Sequence, residues 1–218
     1  MGLVSRIPAV LAAAAVALCL ATSVAAAQDE GEIKPAEKAE FDKRMFGKEP
    51  DPKRPTYACF VRRYDAEHLV RHPHQKVTSM KLLFTSELLE GNTQIERNFR
   101  LGVTFRTKRG NYDSSGSCGF FHPEDAREKG EIRYGCGVDC DGGGINIAMN
   151  KDDKSVLVRL ERVRIWQNNK PDDEAGDELV AGKDDAIFRL DRTSLEECRS
   201  LVTDRKELAA MRAVSNRK

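Results

Sequence analysis

Apolar and polar side chains alternate one by one through Asn98–Arg106, and this two-residue period constrains the chain more than any other feature in it. Phe99, Leu101, Val103 and Phe105 point one way and Arg100, Thr104 and Arg106 the other, the pattern of a strand with one buried face. Met80, Leu82 and Phe84 make a second such row, Ile145, Ile147 and Met149 a third, and Val156, Val158 and Leu160 a fourth. After Leu160 the apolar phase moves to Val163 and Ile165. One extra residue restores the inward face, which predicts a bulge near Glu161–Arg162. Shorter strands are expected at Tyr57–Arg63, Ser117–Phe121, Glu131–Gly137, Glu178–Ala181 and Ala186–Leu190.

Beyond residue 55 the helical signal is confined to two places. Asp65 can cap a short turn that Pro73 ends. Thr193-Ser194-Leu195-Glu196 reads as a capping box, opening a C-terminal helix from about residue 194. About eight short strands and a helix predict an all-β fold: an antiparallel up-and-down barrel, or a sandwich, closed or plugged by the terminal helix. An outer-membrane barrel is disfavoured. It needs strands of ~9–11 residues and aromatic girdles, whereas only 6% of residues are aromatic. With one face of each strand solvated, Arg100→Ala is expected to be nearly neutral.

Residues 1–27 read as a secretory signal peptide, with Arg6 as the positive region, Val10 to Leu20 as the apolar core and cleavage after Ala27. Cys19 follows Leu18, where lipoprotein processing requires a small side chain, so it belongs to the apolar core of the signal. Residues 28–55 are dense in charge and proline and read as a flexible charged leader with a helical turn around Ala36–Met45. A single β-rich domain then fills 56–218. The signal holds one of the 36 basic residues and none of the 35 acidic ones, so the mature chain is neutral. That balance excludes an overall electrostatic grip on nucleic acid or an anionic membrane. No later apolar run reaches the ~20 residues of a membrane span. The expected location is exported, periplasmic or secreted.

Five of the six cysteines lie beyond the signal. Exported thiols this frequent favour disulfides, and an odd number leaves one unpaired. A hairpin reflected about residue 127 sets Cys118 opposite Cys136, the favoured pair. Cys140, too far along an extended strand to reach Cys136, is left with Cys59 or Cys198, and Cys59 is the expected partner. The competing use is zinc held by Cys118, His122, Cys136 and Cys140, although C-x3-C on a strand does not focus two sulfurs on one ion.

His68, His72 and His74 form a second candidate metal group, since His68 and His72 share a helical face. The alternative is a polar connector. Asp139 and Asp141, beside Gly142-Gly143-Gly144, could hold calcium, but the loop meets neither a calcium nor a phosphate template and also suits a sharp bend. The pairs Asp152-Asp153, Asp172-Asp173 and Asp184-Asp185 read as solvated turns. Arg162 and Arg164, with Trp166, are the candidate ligand-binding residues if they face inward, and a solvated strand face if they do not. No Gly-x-Ser-x-Gly elbow is present, and the reading leans away from an enzyme.

Cys59-Phe-Val-Arg-Arg-Tyr64, His68-Leu69, His72-Pro73, Gln75-x-Val77 and the segment Gly135–Gly144 resemble a group of exported bacterial proteins of unknown function, over most of residues 57–205. The resemblance implies no activity, ligand or site residue. The chain is therefore expected to be an exported non-enzymatic protein that needs no cofactor and binds a small molecule or an envelope partner through a disulfide-stabilised barrel. The alternative is a metal-dependent envelope protein or hydrolase using His68, His72 and His74 or the Asp139/Asp141 loop, with zinc or calcium as the ion.

Overall fold

Nine strands pair antiparallel into one sheet that closes into a ring in the computed structural model, which describes residues 32–88, 94–124, 130–171 and 176–215. They are β1 (Thr56–Arg63), β2 (Val77–Leu88), β3 (Ile95–Phe105), β4 (Tyr112–Phe121), β5 (Arg133–Gly137), β6 (Gly143–Met149), β7 (Ser155–Gln167), β8 (Asp177–Val180) and β9 (Ile187–Thr193). The helices are α1 (Pro35–Phe46), α2 (Ala66–Arg71), a 3-10 helix (Leu195–Leu201) and α3 (Arg205–Ser215). The signal peptide, the start of the leader, Asp172-Asp173 and the centre of the β4–β5 hairpin lie outside the described residues.

β1 to β7 follow one another as a meander, and β9 closes the ring by pairing with both β7 and β1. The ring tapers. Near one end β6 lies along β7, but at the other end β4 pairs with β7 directly, Asp113 opposite Trp166 and Tyr112 opposite Gln167. β8 pairs with Arg162–Ile165 of β7, next along from the Ser155–Arg159 stretch that β9 pairs with. The expected bulge is present: Gly144 pairs with Arg162 and Ile145 with Leu160, so Glu161 is the extra residue and Val163 returns to the inward face. The interior is filled by the alternating rows, with Phe60, Leu82, Phe84, Phe99, Leu101, Ile147, Val158 and Phe188 all buried.

Two parts of the architecture differ from expectation. The leader is not flexible throughout. Pro35–Phe46 is a full helix whose Phe41, Met45 and Phe46 join the barrel core. Charge density averaged over the segment hides a narrow stripe, because residues four apart, Phe41 with Met45 and Asp42 with Phe46, share one helical face. This helix, and not the terminal one, plugs the barrel. The C-terminal helices cover the outer wall instead: Cys198, Leu201, Val202 and Met211 form a second cluster with Tyr57, Cys59, Val61 and Leu83. Gly102 permits this seat, since a Cβ there would lie 2.6 Å from the Leu201 side chain.

The start of the 3-10 helix is also displaced. Thr193 still pairs with Cys59 in the sheet, Ser194 takes the capping position and its side chain makes no capping bond. Arg100 is not simply solvated: its two terminal nitrogens lie 2.6 and 2.9 Å from the carboxylate oxygens of Glu207 on α3. Its removal unties α3 from β3.

Two disulfides form. Cys118 and Cys136 are direct cross-strand partners, and Cys59 bonds Cys198, stapling the 3-10 helix to β1. The expected Cys59–Cys140 pair does not form. Cys59 faces outward beneath the 3-10 helix, whereas Cys140 is exposed and unpaired in the turn between β5 and β6.

The staples enclose 139 and 18 residues of sequence. Chain entropy then predicts a loss of about 4–5 kcal/mol for the C59S/C198S double variant against about 3 kcal/mol for C118S/C136S, read by urea unfolding. Equal losses would contradict this order. Phe99→Ala is expected to cost about 3–5 kcal/mol in the same assay.

Candidate functional site: the helix-plugged mouth

The wide end of the barrel is the mouth that α1 enters. Pro35 opens the helix, and the Glu37 carboxylate accepts the Lys34 backbone N–H at 2.9 Å. Gly47 ends it in the left-handed conformation, φ 70°, where a side chain would be strained. The C-terminal carbonyls of Arg44 and Met45 accept from Arg192 at 2.8 and 2.9 Å. This cation suits the negative end of the helix. The guanidinium of Arg192 also lies 4.7 Å over the Phe60 ring and donates to the Asp153 carbonyl at 2.9 Å. Burial lowers its titration, with Asp153 opposing. Arg44 adds a 2.8 Å ion pair to the Asp153 carboxylate.

The buried face of α1 meets an aromatic ring cluster. Phe41 lies edge-on to Tyr134 at 5.0 Å between centroids, Phe46 is 5.8 Å from Phe84, and Phe84 and Phe120 flank Tyr134 at 4.5 and 4.8 Å. Into this apolar setting α1 brings a carboxylate. Asp42 is only 4% exposed. Arg97 donates from Nε at 2.9 Å to one oxygen and from Nη2 to the other, and the Tyr134 hydroxyl donates to the first. The Arg97 guanidinium also sits 4.6 Å over the Phe120 ring.

The electrostatics of the cluster are self-consistent. Burial alone would lower the Arg97 titration, but the hydrogen bonds and charge of Asp42 outweigh it and leave the guanidinium firmly charged. Burial and the Asp42 carboxylate push the Tyr134 phenol far up, so it remains a donor. Ser86 is the cross-strand neighbour of Arg97 and shares the inward face of Phe84. It is 1% exposed, and its hydroxyl has no hydrogen-bond partner among the described residues. Such a group normally finds one.

Two clefts adjoin the helix. Beyond its C-terminal end, one of about 410 Å³ runs between Phe46, Pro55, Arg192 and the outer-wall residues Tyr57, Leu195 and Val214. Along its side, one of about 280 Å³ lies between Phe41, Arg44, Ile132 and Met149. The constellation of a guanidinium, a phenol and an unmatched hydroxyl beside aromatic walls is suited to recognising an oxyanion attached to an apolar body.

The residues singled out from the sequence do not converge here. His68 and His72 stack face to face at 4.3 Å, and the His68 Nε2 lies 2.9 Å from the Gln75 side-chain oxygen. Stacked rings direct their lone pairs alongside one another and not to a common point. The His74 backbone N–H donates to Asp184. The zinc grouping is lost because the Cys118 and Cys136 sulfurs are joined, and His122 Nδ1 is 3.2 Å from the Glu131 carbonyl. Among the described residues no three His, Cys, Asp or Glu side chains are grouped to hold a metal. The turn holding Asp139 and Asp141 is a left-handed bend at Cys140 and Asp141, whose carbonyl accepts from Arg162 at 2.9 Å.

Arg162 and Arg164 face outward with Trp166, since Val163 and Ile165 take the inward positions. Arg162 pairs with Glu178 at 2.6 Å. Asp185, expected in a solvated turn, is fully buried and accepts the backbone N–H groups of Lys76 and Val77 at 2.7 and 3.3 Å. It ties the turn before β9 to the start of β2. The mouth residues Asp42, Arg97, Tyr134 and Arg192 were not visible as a group. The one signal pointing to them was the Phe41, Met45, Phe46 spacing ahead of Gly47.

No protein-family model, curated protein or solved structure matches the chain.

Removing either charge alone leaves the other buried and unpaired, so Asp42→Ala or Arg97→Ala is expected to cost about 3–5 kcal/mol. The paired replacement Asp42→Leu with Arg97→Met is expected to recover most of that loss in urea unfolding. Additive losses would show that the two side chains do not depend on each other.

Proposed function

We propose that this chain is an exported, non-enzymatic binding protein of the cell envelope, which takes a small molecule at the α1 mouth of a doubly stapled barrel. Support for export comes from the charged, apolar and small-residue order of residues 1–27, the two disulfides and the resemblance to exported bacterial proteins. Among the described residues no helix is long and apolar enough to cross a membrane.

The observation that carries the binding reading is the Asp42–Arg97–Tyr134 cluster, set among aromatic rings with the unmatched Ser86 hydroxyl beside it. A helix that only had to cork a barrel would be held at least as well by apolar contacts, because a buried ion pair is often no more stabilising than a hydrophobic pair of similar volume. Polar groups convergent in an apolar recess are the usual make-up of a ligand site.

The test is thermal unfolding of the mature protein against a panel of small amphipathic compounds. A ligand of the mouth at a hundredfold over its Kd is expected to raise Tm by about 5–10 °C, since it binds the folded form alone. Arg97→Met is expected to remove that shift. A panel that shifts neither protein, or shifts both equally, counts against the mouth as the site.

A further inference from the structure

We infer that the mouth is a receptor for an amphipathic monocarboxylate, and that α1 is a displaceable stand-in for it, with Asp42 as the carboxylate and Phe41 and Met45 as the apolar body. This rests on the binding function proposed above and names its ligand class and its gate.

The receptor side is defined by what α1 receives. Arg97 grips both oxygens of the Asp42 carboxylate, and Tyr134 adds a third donor. A planar fork on a carboxylate is the geometry that arginine provides best for any acid, attached to the chain or not. Immediately around the carboxylate the walls are Phe84, Phe120 and the ring of Tyr134, surfaces for an apolar tail and not for a second charge. A phosphate or a dicarboxylate would bring charge that the site does not match. The Ser86 hydroxyl, next to Arg97 on the inner wall, has no partner among the described residues while α1 is seated. It is a polar group that Asp42 does not satisfy and a freely placed ligand head can.

The gate side is defined by how α1 is attached. The helix adds no strand to the sheet. It is held by its apolar stripe, by Asp42 and by the ties of Arg44 and Arg192 near its last turn. One cleft lies along its side and another at its C-terminal end. After the left-handed Gly47, residues 47–55 join it to β1, and the hydrogen bonds of that linker are short-range, Lys53 and Arg54 to Asp51, and Asp51 to Thr56. Extended, this linker spans about 30 Å, enough to carry α1 clear of the mouth. When α1 leaves, Arg97 and Tyr134 lose a carboxylate inside an apolar recess, and an incoming carboxylate restores what the departing one supplied. The helix and the ligand therefore compete for one set of donors.

The experiment is a fluorescence titration of the full mature chain with cis-parinaric acid, and in parallel with its alcohol. Asp42→Asn weakens the internal competitor without touching the receptor, so the acid is expected to bind at least tenfold more tightly than to the wild type. Ala39→Pro, at an exposed position within α1, breaks the same helix by another route and is expected to act in the same direction. Arg97→Met removes the fork and also loosens α1, so it is expected to weaken the acid at least tenfold relative to Asp42→Asn while the alcohol binds at least as tightly as to the wild type. Near-ultraviolet circular dichroism checks that each variant keeps its packed barrel. Unchanged acid affinity in both helix variants overturns the stand-in role of α1. Equal affinity for acid and alcohol overturns the carboxylate class while leaving the binding function standing. A wild type and variants that bind neither probe would remove this inference, and the function would then rest on the thermal panel alone.

Discussion

Because β9 pairs with β1 along one edge and with β7 along the other, the sheet closes, and the side chains of alternate residues have nowhere to go but inward. The remaining architecture follows from that closure. A closed ring leaves few open edges to protect, and long strands such as β2, β3 and β7, of 12, 11 and 13 residues, alternate in it with short ones. It also fixes the taper. Once β7 outruns β6 and pairs with β4, the far end of the barrel is narrower than the near end, where β5 and β6 intervene. A narrow end can be filled by strand side chains and by ties such as Asp185 on the start of β2. A wide end cannot, and needs an additional element.

That element is α1, and its chemistry is not that of a simple cork. Its aromatic and thioether side chains extend the core, but the same face carries Asp42 into a place where a carboxylate is stable only because Arg97 and Tyr134 await it. The arrangement specifies one seating of the helix. A purely apolar stripe would tolerate sliding or rotation in a wide mouth, whereas a bidentate ion pair does not. These are the donors that the proposed ligand would use, so the feature that positions the helix is also the one from which the ligand class is inferred. The outer wall has no such duality: the Cys59–Cys198 bond and the Arg100–Glu207 pair hold the terminal helices by covalent and ionic ties over an apolar bed.

The strands were legible because burial on one face imposes a period on every row, and even the bulge at Glu161 showed as a break in phase between Leu160 and Val163. The cross-strand position of Cys118 and Cys136 followed from hairpin symmetry alone. What failed to show were contacts between elements far apart in sequence. Nothing local distinguishes Cys198 from Cys140 as the partner of Cys59, since the choice depends on where the 3-10 helix docks. Arg100 looked like one more solvated residue of an alternating strand until α3 supplied Glu207 across 107 positions. The mouth suffered most. Asp42, Arg97 and Tyr134 come from a helix and two strands, and each is unremarkable in its own segment.

The misreading of α1 also bears on how function can be read in barrels of this kind. Composition treated residues 28–55 as one object, and a segment with that density of Lys, Glu and Pro does look too polar to fold alone. In the structure it is folded against the barrel. Its helix is stable because a preformed aromatic recess takes three side chains and one carboxylate from it, so the information that orders it lies in the barrel. A segment of marginal independent stability that occupies a recess with matched donors is held by the recess, and the proposed competition for that seat rests on this dependence. The polar exterior of α1 is consistent with this: Glu37, Glu40 and Lys43 face water, and a displaced helix would expose little beyond Phe41, Met45 and Phe46. Release of the plug would expose those three side chains at roughly 1.5–3 kcal/mol each, so the proposed ligand must supply apolar surface as well as a carboxylate to take its place.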